Sequence, residues 1–151
     1  MYGCAHTLNK KSAPTSYNEL IEKYSDEYFI GVGNGNGSSE QLAIKIAKIN
    51  ALGSLSESIK VSIFSKTELF IEEISLDSSS EITESFKQQI ISIGNATVRS
   101  PEYTILNISS KNGVFQAQVL AKKLKRQHIE EAVKDLESID DVDKFLDLLG
   151  K

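Results

Sequence analysis

The feature that most constrains the fold is a stripe of alanines that recurs at every fourth position. Its members are Ala43, Ala47 and Ala51. Residues four positions apart lie on one face of an α-helix, so these three methyl groups form a narrow, flat strip. Bulky aliphatic residues flank the strip, and a helix of this kind can pack close to a sheet. The pattern therefore predicts a helix over Ser39–Ser58 that packs against β-structure.

Signals at the start and in the middle of this helix refine the prediction. Ser38 is a good N-cap residue, and Gln41 three positions later completes a capping-box spacing. Glu40 places negative charge in the first turn, where the helix dipole favours it. Gly53 costs a helix interior about 1 kcal/mol relative to alanine, so we expect it to permit a close backbone approach.

Alternating glycines precede the helix and follow a short apolar strand, Tyr28–Val32. We interpret Gly33–Gly37 as a turn between the strand and the helix. One interpretation is a flexible turn in which glycine supplies a positive φ. The other is a loop whose backbone N–H groups, together with the helix N-terminus, bind a small anion. The residues of this candidate anion-binding loop are Gly33, Gly35, Gly37, Ser38 and Ser39.

The spacing of these glycines fits neither of two well-known phosphate motifs. A G-x-G-x-x-G dinucleotide fingerprint would need glycine at Asn36 or at Ser38. A P-loop would need a Gly-Lys-Ser/Thr sequence, which does not follow. Both interpretations of the turn therefore stay open.

The remainder of the chain alternates strand and helix patterns. The predicted elements are a strand over Lys60–Ile74, a helix over Ser78–Gly94, a strand over Thr97–Ile108 and a strand over Val114–Leu120. Pro101 confines part of the third strand to an edge or a bulge. Asn112 and Gly113 stand between β-rich runs, which is a strong signal for a hairpin.

These elements predict an α+β fold with about four mostly antiparallel strands. The long Ala-rich helix and the second helix pack on the sheet, and an amphipathic C-terminal helix contains Ile129. A short helical turn, Asn18–Tyr24, precedes the first strand. The 151 residues fit one domain, 18–151, after an N-terminal segment, 1–17.

Charge, hydropathy and cysteine content argue against several classes of protein. The net charge of −4 disfavours a nucleic-acid partner, and no window approaches the ~18 consecutive apolar residues of a transmembrane helix. A lone Cys4 excludes an internal disulfide and a cysteine-based metal cluster. We expect His6 and His128 to be solvated, and no catalytic triad or His-Glu-x-x-His motif occurs. We therefore expect no enzyme activity, no metal and no cofactor.

Two further patterns have alternative interpretations. A basic run contains Lys122, Lys123, Lys125, Arg126 and His128. It is either a solvated strand end that passes into a helix, or a contact with anionic head groups or a nucleic-acid backbone. Farther along, an apolar stripe contains Val142, Phe145, Leu146 and Leu149. That stripe is either core or a docking face for a partner.

The stretch Met1–Ala5 resembles the end of a bacterial lipoprotein signal, in which a cysteine that follows a small residue is acylated. Met1 stands where leucine is usual, and no apolar segment precedes it. We expect lipidation of Cys4 in the native protein and an export leader encoded upstream of Tyr2. The polar segment Ala5–Tyr17 then serves as a flexible tether that holds the folded domain off a membrane.

The order of elements, with Cys4 and its tether, resembles the LPP20 family of bacterial lipoproteins. The residues that carry the resemblance are Phe29–Gly33, Ala43, Ala47, Ala51, Leu55, Ile59, Val61–Ile63 and, after the hairpin, Val119–Lys122. The resemblance covers roughly Tyr28–His128. It implies a small α/β domain tethered to the outer membrane, sometimes exposed at the cell surface, with related domains in flagellum-associated envelope proteins. It implies no catalytic residue, and Cys4 is the one chemically defined family position that the sequence matches.

Two functions follow as alternatives. The first is a non-enzymatic cell-envelope lipoprotein, anchored in membrane lipid through acylated Cys4. Its domain would bind or scaffold an envelope or flagellum-associated protein, and it could form a homo-oligomer. The second is a soluble small-ligand or anion-binding protein, or an enzyme, that uses the loop Gly33–Ser39. An export leader upstream of Tyr2 would favour the first.

Overall fold

The computed structural model describes residues 16–74 and 80–134. Its elements are α1 (Tyr17–Tyr24), β1 (Tyr28–Gly37), α2 (Glu40–Ile74), α3 (Ser80–Gly94), β2 (Glu102–Lys111), β3 (Val114–Leu124) and α4 (Lys125–Lys134). The strands form an antiparallel sheet in the order β1-β3-β2, so β3 lies in the centre. The predicted α+β class is confirmed, and the described residues contain three strands rather than four.

The predicted hairpin joins β2 to β3. Asn112 and Gly113 have φ values of 53° and 76°, and two consecutive positive values are what a two-residue type I′ turn requires. Lys111 pairs with Val114 across this turn. The third predicted strand exists, but it begins after Pro101 because proline has no N–H to donate to a strand ladder.

The predicted strand over Lys60–Ile74 is wrong, because α2 continues through these residues to Ile74. The stripe that begins with the alanines continues at every fourth position with larger, buried side chains, Leu55, Ile59, Ile63 and Thr67. The alternation of Val61 and Ile63 resembles a strand only over a short window. In the helix Ile63 faces the core and Val61 is 59% exposed. The absence of this strand accounts for the lower strand count.

The predicted glycine turn at Gly33–Gly37 is also wrong, since β1 runs without interruption from Tyr28 to Gly37. Alternate residues of a strand face the same side, and the residues of β1 that face α2 include Gly31, Gly33, Gly35 and Gly37. A Cβ at Gly31 or at Gly33 would come within 2.1 Å of a backbone nitrogen of α2. These glycines therefore let the helix backbone touch the strand.

Two smaller predictions about α2 are wrong. Gly53 does not permit a close approach, since a Cβ there would meet no atom within 4 Å. The N-cap is Ser39 rather than Ser38, because the Oγ of Ser39 accepts the backbone N–H of Leu42 at 3.3 Å. The helix therefore begins at Glu40.

The core lies between the sheet and α2, with α3 and α4 beside α2. The prediction that the second helix, α3, packs on the sheet is wrong, because α3 packs mainly on α2 near Ile63 and Phe64. Apolar residues of β1 and β3 contact the α2 stripe, and Ile90, Ile93 and Ile129 belong to the same cluster.

The predicted helix over Ser78–Gly94 corresponds to α3, which ends at Gly94 as predicted. The glycine at this position allows α3 to pack closely against α2. A Cβ there would lie 2.9 Å from the ring of Phe64.

The helices at the two ends of the described chain agree with the sequence. α1 confirms the short helical turn and packs Leu20 on the face of the sheet opposite α2. α4 confirms a C-terminal helix, which begins at Lys125 directly after β3. The predicted stripe within 142–149 lies outside the described residues.

Candidate functional site

The two faces of the sheet have different surroundings. One face packs against α2. On the other face α1 covers the end where β1 begins, and there Leu20 packs with Ile30 and Leu120. Toward Gly37 no element that the structure describes covers this face, and its side chains are polar. This open part is the candidate functional site.

The open part of the sheet carries five carboxamides and one hydroxyl, and we call it the amide face. Its residues are Asn34 and Asn36 of β1, Gln116 and Gln118 of β3, and Asn107 and Ser109 of β2. The strand register aligns them in two rows, the first formed by Asn34, Gln118 and Asn107 and the second by Asn36, Gln116 and Ser109. Cross-strand neighbours have Cβ atoms about 5 Å apart. The rows therefore form a continuous polar surface, and they line a groove of about 260 Å³.

The Asn-Gly alternation in β1 produces this surface. With a period of two, the glycines face α2 while Asn34 and Asn36 face the opposite side. A bulge between Ile105 and Asn107 keeps the side chain of Asn107 on the same face as Gln118. Sequence reasoning missed the amide face because it interpreted the glycines as a turn. Reading the same alternation as a strand is the signal that would have found it.

The amide face has the chemistry of a binding surface. Carboxamides and hydroxyls donate and accept hydrogen bonds and do not ionise near neutral pH. The Oε1 atom of Gln118 is buried and has no hydrogen-bond partner among the described residues. An unpaired buried acceptor costs about 1–3 kcal/mol. The arrangement favours an uncharged polar partner surface.

The structure does not bring the candidate anion-binding residues together in a loop. Gly33, Gly35 and Gly37 lie in β1, where they pair with β3 and face α2. Atoms of the helix occupy the space that a ligand on this face would need. Ser39 caps α2, and Ser38 lies beside it in the bend. The geometry therefore disagrees with an anion-binding glycine loop.

Lys123 shows that the basic run is not a solvated strand end. This residue exposes 2% of its surface. Its Nζ donates to the carbonyl oxygen of Arg99 at 2.5 Å and to Oε1 of Glu131 at 3.0 Å. Lys123 thereby connects the end of β3 to α4 and to the segment before β2. A buried, paired charge of this kind has a structural role.

The other basic side chains point in different directions. Lys122 lies on the opposite face of the sheet, where its Nζ is 3.1 Å from Oε2 of Glu102 and 4.4 Å from the ring centroid of Tyr28. The hydrogen bond to Glu102 is the main cause that raises the pKa of Lys122. Arg126 pairs with Glu130 at 2.8 Å on the surface of α4. Because the run is divided between core and two surfaces, it does not form one basic patch.

His128 is buried rather than solvated, which corrects the expectation from sequence. It exposes 1% of its surface, and its ring packs edge-on against Phe29 with centroids 5.9 Å apart. Neither ring nitrogen makes a well-formed hydrogen bond in the described part of the chain, although the backbone of Ile93 lies close enough to act on the ring. Burial is the main cause that lowers the pKa of His128, and Lys123 adds to it while the backbone of Ile93 and Glu131 oppose it. The imidazole is therefore a neutral core group.

Several predictions about chemistry fall on residues that the structure does not describe. Cys4 and His6 lie there, so lipidation of Cys4 stays a prediction. Within 16–74 and 80–134, no three His, Cys, Asp or Glu side chains are grouped so as to hold a metal ion. None of the described helices combines the length and the apolar character needed to cross a bilayer.

No protein-family model matches the chain, and no curated protein matches it. The resemblance to the LPP20 family therefore rests on the residues quoted for it, because the glycine turn and the strand over Lys60–Ile74 in the predicted order of elements are absent from the described chain.

Proposed function

We propose that this chain is a non-enzymatic lipoprotein of the bacterial cell envelope, similar to the LPP20 family. Acylated Cys4 anchors it in the outer membrane, on the periplasmic or the outer side. Its folded domain, 18–151, binds or scaffolds an envelope or flagellum-associated protein. The amide face is the surface that contacts this partner.

The observation that carries the proposal is that most of the residues behind the LPP20 resemblance lie where β1 and β3 meet α2, with the exposed Val61 as an exception. Gly31 and Gly33 of β1 lie against Ala51 and Leu55 of α2. The segment Val119–Lys122 pairs with β1 along the same stretch. A strand and a helix can approach this closely only if their side chains stay small. One steric requirement of this chain therefore accounts for several of the quoted residues together.

The length of the N-terminal segment is consistent with a membrane tether. Cys4 precedes the first residue of α1, Tyr17, by 13 positions. At full extension this number of residues spans about 45 Å. That reach exceeds the thickness of the head-group layer, so an anchored domain could present the amide face to a protein partner.

The side chains on the amide face support binding rather than catalysis. General acid–base catalysis needs a group whose pKa lies near the working pH. Asn, Gln and Ser side chains have no such proton, whereas they form hydrogen bonds readily. The alternative function, an anion-binding protein or enzyme that uses Gly33–Ser39, has less support because the glycines of that stretch face α2.

Lipid anchoring is tested on the full-length gene product in its own bacterium. Mass spectrometry of the membrane-extracted protein is expected to find Cys4 as the first residue, carrying acyl chains. Cys4→Ser is expected to move the domain to the aqueous fraction. An upstream sequence without an export leader, or a free Cys4 thiol in the aqueous fraction, would overturn the envelope part of the proposal.

Partner binding is tested with charge changes that preserve size. A photoreactive residue at Asn36 is expected to cross-link the domain to an envelope protein in intact cells. Gln116→Glu should raise the dissociation constant about tenfold, which corresponds to roughly 1.4 kcal/mol of binding, and so lower the cross-linking yield. Asn95→Asp is the control, because Asn95 is exposed in the turn after α3 and lies outside the amide face. Equal yields from the two variants, or no product from Asn36, would contradict the assignment.

A further inference from the structure

A second surface lies between α2 and β2, and we call it the α2–β2 groove. Its lining residues are Gln41, Ile44, Lys45, Lys48, Ile49 and Leu52 of α2 and Tyr103 of β2. The groove encloses about 400 Å³. It exists because α2 packs on β1 and β3 and barely contacts β2. Ile49 is 61% exposed, and no element that the structure describes covers the groove.

We propose that the C-terminal segment of the same chain, residues 135–151, occupies this groove as an amphipathic helix that packs along α2. The segment lies outside the described residues. Three properties of the groove and of the sequence favour this occupant over a second copy of the chain. They are the spacing and length of the apolar stripe, the charge, and the place where α4 ends.

The apolar stripe of the segment matches the groove in length. Ile139, Val142, Leu146 and Leu149 follow a spacing of three, four and three, which places them on one side of a helix. At 1.5 Å per residue, the stripe spans about 15 Å. The groove runs along α2 from Gln41 to Leu52, or about 17 Å by the same rise. One helix of this length would cover the apolar lining from end to end.

The charges of the segment and the groove are complementary. Residues 135–151 contain six carboxylates, Asp135, Glu137, Asp140, Asp141, Asp143 and Asp147, against two lysines. The charged residues that line the groove are Lys45 and Lys48. The Nζ of Lys48 lies 5.6 Å from the ring centroid of Tyr103, which holds a positive charge at the rim. Exposed charges of this kind add specificity, while burial of the apolar stripe supplies most of the affinity.

The described chain ends at α4, which hydrogen bonds link to the segment before β2. The last described residue of α4 is Lys134. One turn earlier Glu131 binds Lys123, whose Nζ also binds the carbonyl oxygen of Arg99. Arg99 lies four positions before Tyr103, which lines the groove. Four residues separate Lys134 from Ile139, where the apolar stripe begins, and at full extension they span about 14 Å.

Hydrogen exchange on the full chain tests this proposal. Amides of 139–149 are expected to exchange at least about tenfold more slowly than those of an unstructured peptide of the same sequence. Ile49→Glu places a charge in the apolar lining and should remove this protection. Val61→Glu is the matched control, because Val61 lies on the same helix with a similar exposure of 59% but outside the groove. It should leave the protection unchanged.

Two outcomes would overturn the proposal. The first is exchange of 139–149 at the rate of the unstructured peptide in the unsubstituted chain. The second is protection that Ile49→Glu and Val61→Glu affect equally. Sedimentation equilibrium identifies the competing occupant. A dimer that Ile49→Glu dissociates, with 139–149 unprotected, would assign the groove to a second copy of the chain.

Discussion

A Cβ on Gly33 would lie 2.1 Å from the backbone nitrogen of Ala51, so the strand and the helix touch through their main chains. The contact repeats, because Gly35 makes the equivalent approach to Ala43 and Ala47. Strand residues two apart are separated by about 6.7 Å and helix residues four apart by about 6 Å. The two repeats are nearly equal, so successive glycines of β1 meet successive residues of the α2 stripe.

The first prediction concerns Gly33. Gly33→Ala is expected to lower the free energy of unfolding by about 3 kcal/mol or more. The cost is high because the new methyl group would meet the backbone of α2 on both sides, and backbone cannot rotate away as a side chain can. Urea denaturation monitored by circular dichroism measures the effect.

Gly53→Ala is the control for this prediction. A Cβ at Gly53 meets no atom within 4 Å, and the residue lies inside α2. The substitution is expected to stabilise the protein by about 0.5–1 kcal/mol, since alanine favours a helix over glycine. Similar losses of stability at the two glycines would contradict the packing that the structure shows.

The second prediction separates the two serines before α2. Ser39→Ala is expected to cost about 1 kcal/mol, because it removes the hydroxyl that accepts the N–H of Leu42. Ser38→Ala should change stability by less than about 0.5 kcal/mol, as expected at an exposed position. Thermal denaturation of both variants under the same conditions makes the comparison. A larger effect at Ser38 would instead indicate that Ser38 is the N-cap residue, as the sequence pattern predicts.

The third prediction concerns the buried pair of Lys123 and Glu131. Glu131→Gln is expected to cost about 3 kcal/mol, since it leaves the nearly inaccessible Lys123 cation without a counter-charge. Lys123→Met should cost less, about 1–2 kcal/mol, because the remaining Glu131 side chain is 25% exposed and water can reach part of it, although its Oε2 is buried. Chemical denaturation of the single and double variants tests this order. The reverse order would show that Glu131 is the more desolvated partner.

The fourth prediction is a pH dependence that arises from His128. Burial lowers the pKa of His128 in the folded chain below its ordinary value of 6.5. The unfolded chain therefore binds a proton first, and stability should fall as the pH decreases below about 6.5. Lys123 and Glu131 are the charged groups that act on the ring.

Two variants test whether His128 causes this pH dependence. His128→Leu should flatten the curve of unfolding free energy against pH between about 5 and 7. His6→Gln alters the other of the two histidines in the sequence and should leave the curve unchanged. Urea denaturation at a series of pH values provides the measurement. A slope that persists in His128→Leu would mean that another group titrates.

Local signals were sufficient for part of the fold. Asn112 and Gly113 specify their hairpin because few residues adopt positive φ at two consecutive positions. The alanine stripe specified that α2 packs on the sheet, since the stripe depends on helical periodicity alone. The sequence could not specify burial of His128, because that depends on where Phe29 of β1 lies relative to α4.

By itself, then, the sequence determined the helical face of α2, the hairpin and the α+β class, which depend on neighbours within a few positions. Only the tertiary structure decided that Gly33–Gly37 is a strand and that α2 continues to Ile74. A run of alternating glycines is compatible with a turn or a strand. The choice depends on whether a helix backbone lies close enough to exclude every side chain on one face. That contact joins residues distant in sequence, and the same contact turns Asn34 and Asn36 toward the amide face.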